Sequence, residues 1–550
     1  MSAPTICYYS TLLLKTQYRL GLFSKMLGLK NVAPVVKFSP PCYLGLMIAK
    51  IYSAIPYGFE GRLVEVEGDI NRGLPAFNIV GMANKTINEA KERVKSAILN
   101  SGFMFPSKKI TINLAPADLL KNGSFLDLPI ALSVLVLSGQ LLERDLKGSL
   151  FVGELSLTGE LRPVKGIINI VELAKNSGTR KVFVPIQNLS QAQLVKDVEI
   201  YGVKTLKSLF LQLKNLQPLT YASETKTGLK TAPTASLGPF LDHIRGQELA
   251  KRAMAIAVAG HHNILISGPP GAGKTLLARA AANLLPALTE EEQIDITKIY
   301  SLAGLTNDEI ISSRPFRSPH HTSSLISLVG GGASITPGEI SLAHKGILFL
   351  DEIPEFPRAT LESLRQPLED KTISLARAGE KTTYPADFML IATMNPCPCG
   401  YYGDPTHKCT CTTTQIQNYK RKLSGPLFDR IDLNITIEKV KNTELINDKI
   451  TDRKQHDVVK NTINNAIKAQ QARYGRPGIF NSSLSSFEVS KLLVLEPAAR
   501  RLLAKASESL NLSARAYFKT IKVARTIADL DGSSTIKTTH ITEALNFRKR

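Results

Sequence analysis

The stretch Ile264-Leu265-Ile266-Ser267-Gly268-Pro269-Pro270-Gly271-Ala272-Gly273-Lys274-Thr275 is an apolar strand pattern that runs into G-x-x-x-x-G-K-T and then into an Ala/Leu-rich helix pattern. Its glycines allow a tight loop whose backbone N–H groups face phosphate, and the following helix adds its positive end. Lys274 is expected to reach the β- and γ-phosphates, and Thr275 to bind Mg²⁺. A chance glycine-rich turn is the alternative, which the flanking strand and helix patterns disfavour. Residues 268–275 are therefore predicted to bind ATP.

Two later strand patterns end in polar residues. Ile347-Leu348-Phe349-Leu350 leads into Asp351 and Glu352, and the apolar run 388–394 leads into Asn395. Asp351 is expected to hold the Mg²⁺ shell and Glu352 to be the base that orients the attacking water. Asn395 is expected to sense the γ-phosphate or the water. Because parallel strands deliver such groups to one sheet edge, the pattern predicts an α/β fold with a catalytic ATP site.

Two arginines follow these strands. Arg430, in the segment Leu427-Phe428-Asp429-Arg430-Ile431-Asp432, is a candidate finger for the γ-phosphate of a neighbouring subunit. Arg515 opens a long helical pattern that runs through Asp529 and could approach the same phosphate from a lid. The alternative for each is a solvated surface arginine, because the chain contains 68 lysines and arginines.

The order of these motifs resembles an AAA+ ATPase of the helix-2-insert clade, which includes the magnesium chelatase ATPase subunit and the MCM helicases. The resemblance to the chelatase-like subgroup spans roughly residues 237–550 and is carried by four segments: 314–321, 338–346, 512–517 and 523–530. It implies an oligomeric ring, usually a hexamer, with the ATP site between subunits and Arg430 acting in trans. Arg515 matches the sensor-2 position, with Arg525 as the second choice.

The N-terminal half resembles a different module. Residues 151–164 (FVGELSLTGELRPV) and 181–185 (KVFVP) are similar to the proteolytic domain of Lon and to the C-terminal domain of RadA. Phe125 occupies the place of the Lon nucleophile and Ile168 that of its lysine, and an apolar side chain neither attacks nor deprotonates. Helical patterns cover 84–100 and, more apolar, 126–142. The resemblance therefore implies a non-proteolytic Lon-like domain.

A Lon-like module joined to a chelatase-like ATPase resembles the YifB/ComM family, over about residues 47–550. Its ComM members are ATP-driven helicases that promote branch migration during natural transformation, which makes DNA the implied partner. A chelatase-like ATPase that remodels a protein partner or assists metal insertion is the alternative. The expected order is a tail (1–46), a Lon-like domain (47–217), a linker (218–236), an AAA+ core (237–445) and an all-α helical lid (446–550).

Composition agrees with a polyanionic partner. The 550 residues carry 68 basic and 47 acidic side chains, a formal net charge of +21. Trp is absent and aromatic residues make up 6%, so contacts of Lys and Arg with the DNA backbone are favoured over base stacking. A merely soluble basic surface is the alternative. No stretch approaches eighteen apolar residues, so we expect a cytoplasmic protein without a membrane span.

The first 46 residues differ in character from the rest. They contain no Asp or Glu, and their basic residues are Lys15, Arg19, Lys25, Lys30 and Lys37. The family resemblance begins at Met47, so the preferred interpretation is a start site assigned too early. A functional basic arm is the second interpretation.

Four of the six cysteines are clustered: Cys397, Cys399, Cys409 and Cys411. Paired thiolates on two short loops can surround one tetrahedral Zn²⁺, so the loop 397–411 is predicted to hold structural zinc. His407 could replace one ligand. The alternatives are disulfides, disfavoured in a cytosolic protein, or unrelated loop thiols. The cluster begins two residues after Asn395, where a metal would stiffen the loop beside the γ-phosphate.

DNA contacts are expected in two segments that match the pore elements of the clade, about 318–336 and 374–383. Arg377 and Lys381 flank the turn Ala378-Gly379-Glu380 and are the candidate phosphate contacts. A solvated hairpin tip is an equal alternative.

Overall fold

A computed structural model describes residues 48–81, 85–119, 121, 124–218, 238–306, 309–332, 335–377, 380–404, 407–439, 454–476 and 478–548. The predictions for the tail 1–46, for linker residues 219–236 and for a boundary at 445/446 lie outside these ranges. Among the helices in these ranges, none combines the length and apolar character needed to cross a bilayer.

The N-terminal unit is a mixed sheet with helices packed on it. Its strands are β1 (Ile48–Tyr57), β2 (Glu60–Asn71), β3 (Ala76–Val80), β4 (Lys109–Ala115), β5 (Ser149–Phe151), β6 (Glu154–Leu155), β7 (Leu161–Arg162), β8 (Lys181–Pro185) and β9 (Glu199–Val203). Its helices are α1 (Lys85–Asn100), α2 (Asp127–Leu137), α3 (Ile167–Asn176), α4 (Leu189–Ala192) and α5 (Leu206–Leu213).

Seven of these strands form one sheet in the order β3-β4-β2-β1-β5-β8-β9. The β1–β2 and β2–β4 pairs are antiparallel, whereas β1, β5, β8 and β9 run parallel. Every residue of α2 is buried, as its continuous apolar pattern predicts. The prediction of a helix to residue 142 was wrong, because α2 ends at Leu137 and Gly139 adopts φ +73° just beyond it.

The central unit begins with α6 (Glu248–Gly260) and contains a second sheet. Its remaining elements are β10 (Ile264–Ser267), α7 (Lys274–Leu284), α8 (Glu290–Ala303), β11 (Phe316–Arg317), α9 (Leu325–Val329), β12 (Gly330–Gly331), β13 (Thr336–Pro337), α10 (Glu339–Leu342), β14 (Ile347–Leu350), α11 (Arg358–Ser363), α12 (Arg365–Asp370), β15 (Thr372–Arg377), β16 (Glu380–Pro385), β17 (Met389–Met394), α13 (Thr413–Arg421), α14 (Gly425–Phe428) and β18 (Leu433–Thr436).

The second sheet has the order β11-β14-β17-β10-β18, and all its pairs are parallel. Strands β14, β17 and β10 are buried along almost their whole length, as apolar strands covered on both faces should be. These three neighbouring strands therefore bring their following residues to the same edge. The predicted parallel α/β core is confirmed.

The C-terminal helices are α15 (Lys454–Tyr474), α16 (Ser486–Leu492), α17 (Pro497–Ser509), α18 (Ala514–Leu530) and α19 (Thr538–Asn546). An isolated bridge between Leu495 and Ile536 is the extended pairing recorded in this part of the described chain. Ile463, Ile527 and Ile541 join one hydrophobic cluster with Ile266 and Ile391 of the second sheet. The helices thus share one hydrophobic core with the second sheet, and their assignment as a lid stays a prediction.

The N-terminal unit packs on α8 of the central unit. Glu172 on α3 forms an ion pair with Lys298, and the backbone N–H of Gly166 donates to Ser301 Oγ over 3.0 Å. The Lys298 ammonium also lies 4.1 Å from the centre of the Phe59 ring. Polar and aromatic contacts therefore link the two units at α8, the helix that follows α7.

Candidate nucleotide site

The loop between β10 and α7 has the geometry that its glycines predict. Gly271 and Gly273 adopt φ values of +76° and +86°, a region that other residues avoid. Gly273 caps α7, so the free N–H groups of the first turn point into the loop. Lys274 is 8% exposed, and its Nζ donates to the carbonyls of Gly268 (2.6 Å) and Pro269 (3.1 Å). The loop can wrap an anion, with an ammonium group already inside it.

Oxygen atoms suited to Mg²⁺ meet at the end of β14. Thr275 Oγ1 donates to Asp351 Oδ2 over 3.2 Å, and the Thr393 hydroxyl bonds the other carboxylate oxygen. A hydroxyl and a carboxylate are ligands that Mg²⁺ accepts, with its remaining positions left to water and phosphate. The donor set fits the predicted ion, which Thr275 and Asp351 would hold beside the phosphates.

Asn395 links the predicted base to the P-loop lysine. Its Oδ1 accepts from Lys274 Nζ at 2.9 Å, and its Nδ2 donates to Glu352 Oε1 at 3.3 Å. Glu352 has a left-handed backbone, φ +51°, held by its N–H bond to Thr393 Oγ1 at 3.0 Å. Such a conformation is costly for glutamate and is found where the surroundings enforce it, as at active sites. Five predicted residues thus form one connected polar cluster: Lys274, Thr275, Asp351, Glu352 and Asn395.

Burial lowers the pKa of Lys274, while the nearby carboxylates of Asp351 and Glu352 oppose that shift. A buried ammonium beside two carboxylates is compensated by them in the absence of phosphate. The cluster is therefore an electrostatic site that a polyphosphate with its cation can enter.

Arg430 lies at the opposite edge of the sheet from this cluster. Its carbonyl accepts from Asn263 Nδ2 at 2.9 Å, just before β10, where Ile264 pairs with Leu433 of β18. The P-loop follows the other end of β10, about 10 Å further along a strand of this length. Arg430 Nη1 donates to the Pro426 carbonyl at 2.6 Å, and Nη2 to Glu369. The backbone of Arg430 therefore lies at the end of the sheet opposite the glycine loop of its own chain.

Arg515 lies beside Arg430 rather than beside Lys274. The Arg515 guanidinium bonds Glu369, the same carboxylate that Arg430 bonds. Arg525 is 1% exposed, and it bonds Asp529 and the carbonyls of Ser533 and Ser534. A residue so enclosed holds the C-terminal helices together, so Arg525 does not replace Arg515 as the candidate for phosphate contact.

The four clustered cysteines converge as predicted. Their sulfur atoms all lie within 4.8 Å of one another, and three Sγ–Sγ distances are 3.3, 3.6 and 3.7 Å. Tetrahedral Zn–S bonds of about 2.3 Å place sulfurs about 3.8 Å apart, so the donor set fits zinc. Backbone N–H groups of Tyr401 and Thr410 lower the pKa of the Cys399 thiol to about 6. His407 instead stacks on Tyr401, with ring centres 4.9 Å apart.

The cysteine loop touches the P-loop. Gly400 has φ +86°, and a Cβ built there would lie 2.7 Å from Pro270 Cδ, closer than side chains tolerate. The backbone N–H of Asn395 donates over 3.4 Å to the hydroxyl of Tyr419, which belongs to α13, the helix that follows the cysteine loop. The loop thus packs against the phosphate-binding loop, and the helix after it contacts Asn395.

The candidate DNA contacts belong to the hairpin β15–β16. Ala376 pairs with Lys381 and Arg377 with Glu380, so both basic residues lie near the turn. Lys381 is exposed, and the Arg377 side chain lies outside what the structure describes. The DNA contacts therefore stay a prediction.

Phe125 and Ile168, which the predicted resemblance places at the positions of the Lon dyad, both pack on apolar clusters, Ile168 within one and the half-buried Phe125 against two. Ile168 is fully buried, and Phe125 packs against both N-terminal hydrophobic clusters. Ser124 donates to the Glu154 carboxylate. Neither Phe125 nor Ile168 supplies a nucleophile or a base, and the Lon-like origin of the unit stays a prediction.

Sequence reasoning missed two polar residues of this region. Thr393 joins Asp351 to the backbone of Glu352, and Glu369 joins the two arginines. The sequence could have indicated Thr393, because it is a hydroxyl residue within an otherwise apolar strand. No sequence pattern distinguishes Glu369, because it is one of many carboxylates on exposed helices.

Family models cover most of the described chain. The model "Magnesium chelatase, subunit ChlI" matches residues 240–445, and its C-terminal counterpart matches residues 453–548. A further model, "Subunit ChlI of Mg-chelatase", matches residues 66–188 in the N-terminal unit. Magnesium-chelatase models thus match parts of all three units.

Full-length relatives agree with the family models. Competence protein ComM of Haemophilus influenzae is 42% identical over 92% of this chain and 98% of its own length. The uncharacterized protein YifB of Salmonella typhimurium is 40% identical over 92% and 97%. The magnesium-chelatase 67 kDa subunit of Chlorobaculum parvum is 26% identical over 28% of this chain and 23% of its own. The chain belongs to the YifB/ComM family of magnesium-chelatase-like AAA+ proteins.

Proposed function

We propose that this protein is an ATP hydrolase whose catalytic site is completed by a neighbouring subunit in a ring, a hexamer by resemblance to the clade. The observation that carries the proposal is the separation of the two halves of the site. Lys274, Glu352 and Asn395 cluster at the carboxyl edge of the second sheet, whereas Arg430 and Arg515 lie together at the amino edge. If the amino edge of a second copy faced the carboxyl edge of the first, the arginines of the second copy would reach the phosphates bound by the first.

Each residue has a defined chemical role in this proposal. Residues 268–275 cradle the phosphates, with Lys274 pairing the β- and γ-phosphates, while Thr275 and Asp351 hold Mg²⁺, whose charge offsets that of the phosphates. Glu352 accepts a proton from the attacking water, and Asn395 orients Glu352 through its amide. Arg430 and Arg515 stabilise the charge that develops on the transferred phosphoryl group.

The work proposed for ATP hydrolysis is movement along DNA, as a helicase that promotes branch migration of recombination intermediates. Its support is the net charge of +21, the exposed Lys381 at the hairpin, and the family relative named as a competence protein. Natural transformation is the setting that this relative suggests. Arg377 and Lys381 are the proposed contacts with the DNA backbone.

We further propose structural Zn²⁺ at Cys397, Cys399, Cys409 and Cys411, and a cytoplasmic location. The support for zinc is the convergence of four sulfurs at distances that suit one ion. A reducing compartment would keep these four thiols available to the metal. The N-terminal unit is proposed to be a non-proteolytic platform for the ring, because apolar residues, the buried Ile168 and the half-buried Phe125, stand at the dyad positions.

The second candidate function is a chelatase-like ATPase that remodels a protein partner or assists metal insertion. The family models for magnesium chelatase favour it. The two candidates differ in their response to DNA, so a DNA assay separates them.

The deciding experiment measures branch migration and strand displacement by the purified full-length protein with ATP and Mg²⁺ at low salt. A DNA motor should convert branched substrates, whereas Glu352→Gln should bind the same substrates without converting them. ATP hydrolysis without DNA binding at low salt would reject the motor in favour of the second candidate.

A further inference from the structure

Glu369 connects the two arginines proposed to complete the neighbouring ATP site. Its Oε2 accepts from Arg430 and its Oε1 from Arg515, so each carboxylate oxygen serves one guanidinium. Glu369 belongs to α12, Arg430 follows α14, and Arg515 lies in the first turn of α18. Three elements that are distant in sequence thus meet at one carboxylate.

The charges of this group require a counter-ion. Two guanidinium groups that converge on one point repel each other, and the Glu369 carboxylate offsets that repulsion. The hydrogen bond from Arg430 holds the pKa of Glu369 below its usual value, so the carboxylate is ionised at neutral pH. The three side chains together carry one net positive charge, which suits an incoming anion.

The arginines keep donors for a second partner. Among the described residues, Arg430 Nε has no hydrogen-bond partner, and because it is buried it becomes available to a second partner only when the Arg430 side chain moves. Its side chain is 15% exposed, whereas those of Arg515 and Glu369 are each 46% exposed. A guanidinium offers five N–H donors, so the pair can bind more than one carboxylate. The group combines a nearly enclosed arginine with an exposed arginine and an exposed acid.

We propose that Glu369 is a positioning residue that holds Arg430 and Arg515 as one pair and releases them to the γ-phosphate of the neighbouring subunit's ATP. The inference rests on the proposed ring ATPase and deepens it. The carboxylate aligns the arginines before ATP arrives and competes with phosphate for the same donors. After hydrolysis it takes the arginines back, which helps phosphate to leave. Glu369 touches no reacting atom and acts only through the two arginines.

The test is steady-state ATP hydrolysis by full-length Glu369→Gln, which keeps the side-chain shape and removes the charge. Without the competing carboxylate, the KM for ATP should fall about three- to tenfold, the range expected for a partly exposed charge-assisted contact. The kcat should fall by a similar factor, because the arginines are no longer drawn away from the product phosphate. Glu369→Asp retains the charge and should restore both constants towards the wild-type values.

The matched control is Glu362→Gln on α11, where Glu362 pairs with Arg365 at 2.6 Å and touches neither catalytic arginine. That variant should keep wild-type KM and kcat. Unchanged constants in Glu369→Gln would overturn the proposal, and so would a raised KM, which would mean that Glu369 only supports the fold of this edge.

Mixed rings test whether the release occurs between subunits. Subunits that carry both Glu369→Gln and Lys274→Ala cannot use their own ATP site. When they are mixed with wild-type subunits, a lowered KM must therefore come from wild-type ATP sites that receive their arginines from a variant neighbour. Loss of the shift in such mixtures would reject the release. These experiments measure only ATP hydrolysis. A chain that hydrolyses ATP but does not move DNA would therefore refute the DNA motor and leave the proposed role of Glu369 testable. A wild-type chain without ATPase activity would refute both.

Discussion

At the scale of single residues, Lys274 and Glu352 belong to one cluster and have separable roles. Lys274 Nζ lies against two loop carbonyls and Asn395, positions from which it can turn to a phosphate. Glu352 bonds Asn395 and has no hydrogen bond to Lys274 among the described contacts. Changes at the two positions should therefore affect binding and hydrolysis differently.

We expect Lys274→Ala to weaken ATP binding about 10- to 100-fold, because a charge-assisted bond to phosphate is lost. Glu352→Gln should bind ATP normally and hydrolyse it about 10²- to 10⁴-fold more slowly, the usual contribution of a general base. Equilibrium binding of a fluorescent ATP analogue and single-turnover hydrolysis measure the two effects. Glu355→Gln, an exposed carboxylate nearby that pairs with Lys422 at 3.4 Å, is the control. Weak ATP binding by Glu352→Gln would contradict the division of roles.

Thr393 gives a second prediction at this scale. Its hydroxyl bonds Asp351 and accepts the N–H of Glu352, so Thr393→Val removes both contacts while keeping the side-chain shape. We expect a drop of about tenfold in kcat and a need for more Mg²⁺, since Asp351 loses its orientation. Titration of ATPase activity with Mg²⁺ measures this. Thr393→Ser retains the hydroxyl and should behave like wild type. An equal loss of kcat in both variants would show that Thr393 contributes only through packing.

At the scale of elements, the cysteine loop and the P-loop are in contact. They approach so closely that a side chain at position 400 would collide with Pro270. A loop held by metal would restrain the phosphate-binding loop from outside.

Elemental analysis of the purified protein should give about one zinc per chain. Cys399→Ser should lower the zinc content and the thermal stability, because metal-binding free energy contributes to folding of the loop. His407→Ala is the matched control and should retain zinc, since His407 stacks on Tyr401 and is not part of the sulfur cluster. A fully active preparation without metal would refute the zinc site.

At the scale of the whole molecule, the two halves of the proposed site lie on opposite edges of one sheet. Within a single chain, the two arginines therefore lie far from the phosphates that the same chain would bind. The N-terminal unit contacts α8 of the central unit through Glu172, Lys298 and Ser301, which is where it would support the proposed ring.

Subunit mixing tests this arrangement. Arg430→Ala should bind ATP but not hydrolyse it, and Glu352→Gln alone should also be inactive. Mixtures of the two should regain part of the wild-type ATPase rate, because an intact site in one subunit would meet an intact arginine from its neighbour. The measurement is the ATPase rate as a function of the mixing ratio. Absence of rescue in rings that contain both variants would argue against an arginine acting between subunits.

The sequence by itself determined the parts of the site that are local. An apolar strand, a glycine loop with Lys274, and the polar residues after two further strands sufficed to predict which side chains meet. The reason is that parallel strands always bring their carboxyl ends to one edge. The four cysteines were equally local, since they lie within one loop.

Only the tertiary structure decided which distant elements meet. The pairing of Arg515 with Glu369 joins residues 146 apart in the chain, and it depends on how α18 packs against α6, α15 and α19, which no local pattern encodes. The burial of Arg525 depends in the same way on neighbours that are remote in sequence, whereas the end of α2 is local, because Gly139 adopts φ +73° just beyond it. Contacts set by strand order and helix packing follow from the summed burial of apolar surface over the whole core, and so they appear only when the chain is folded.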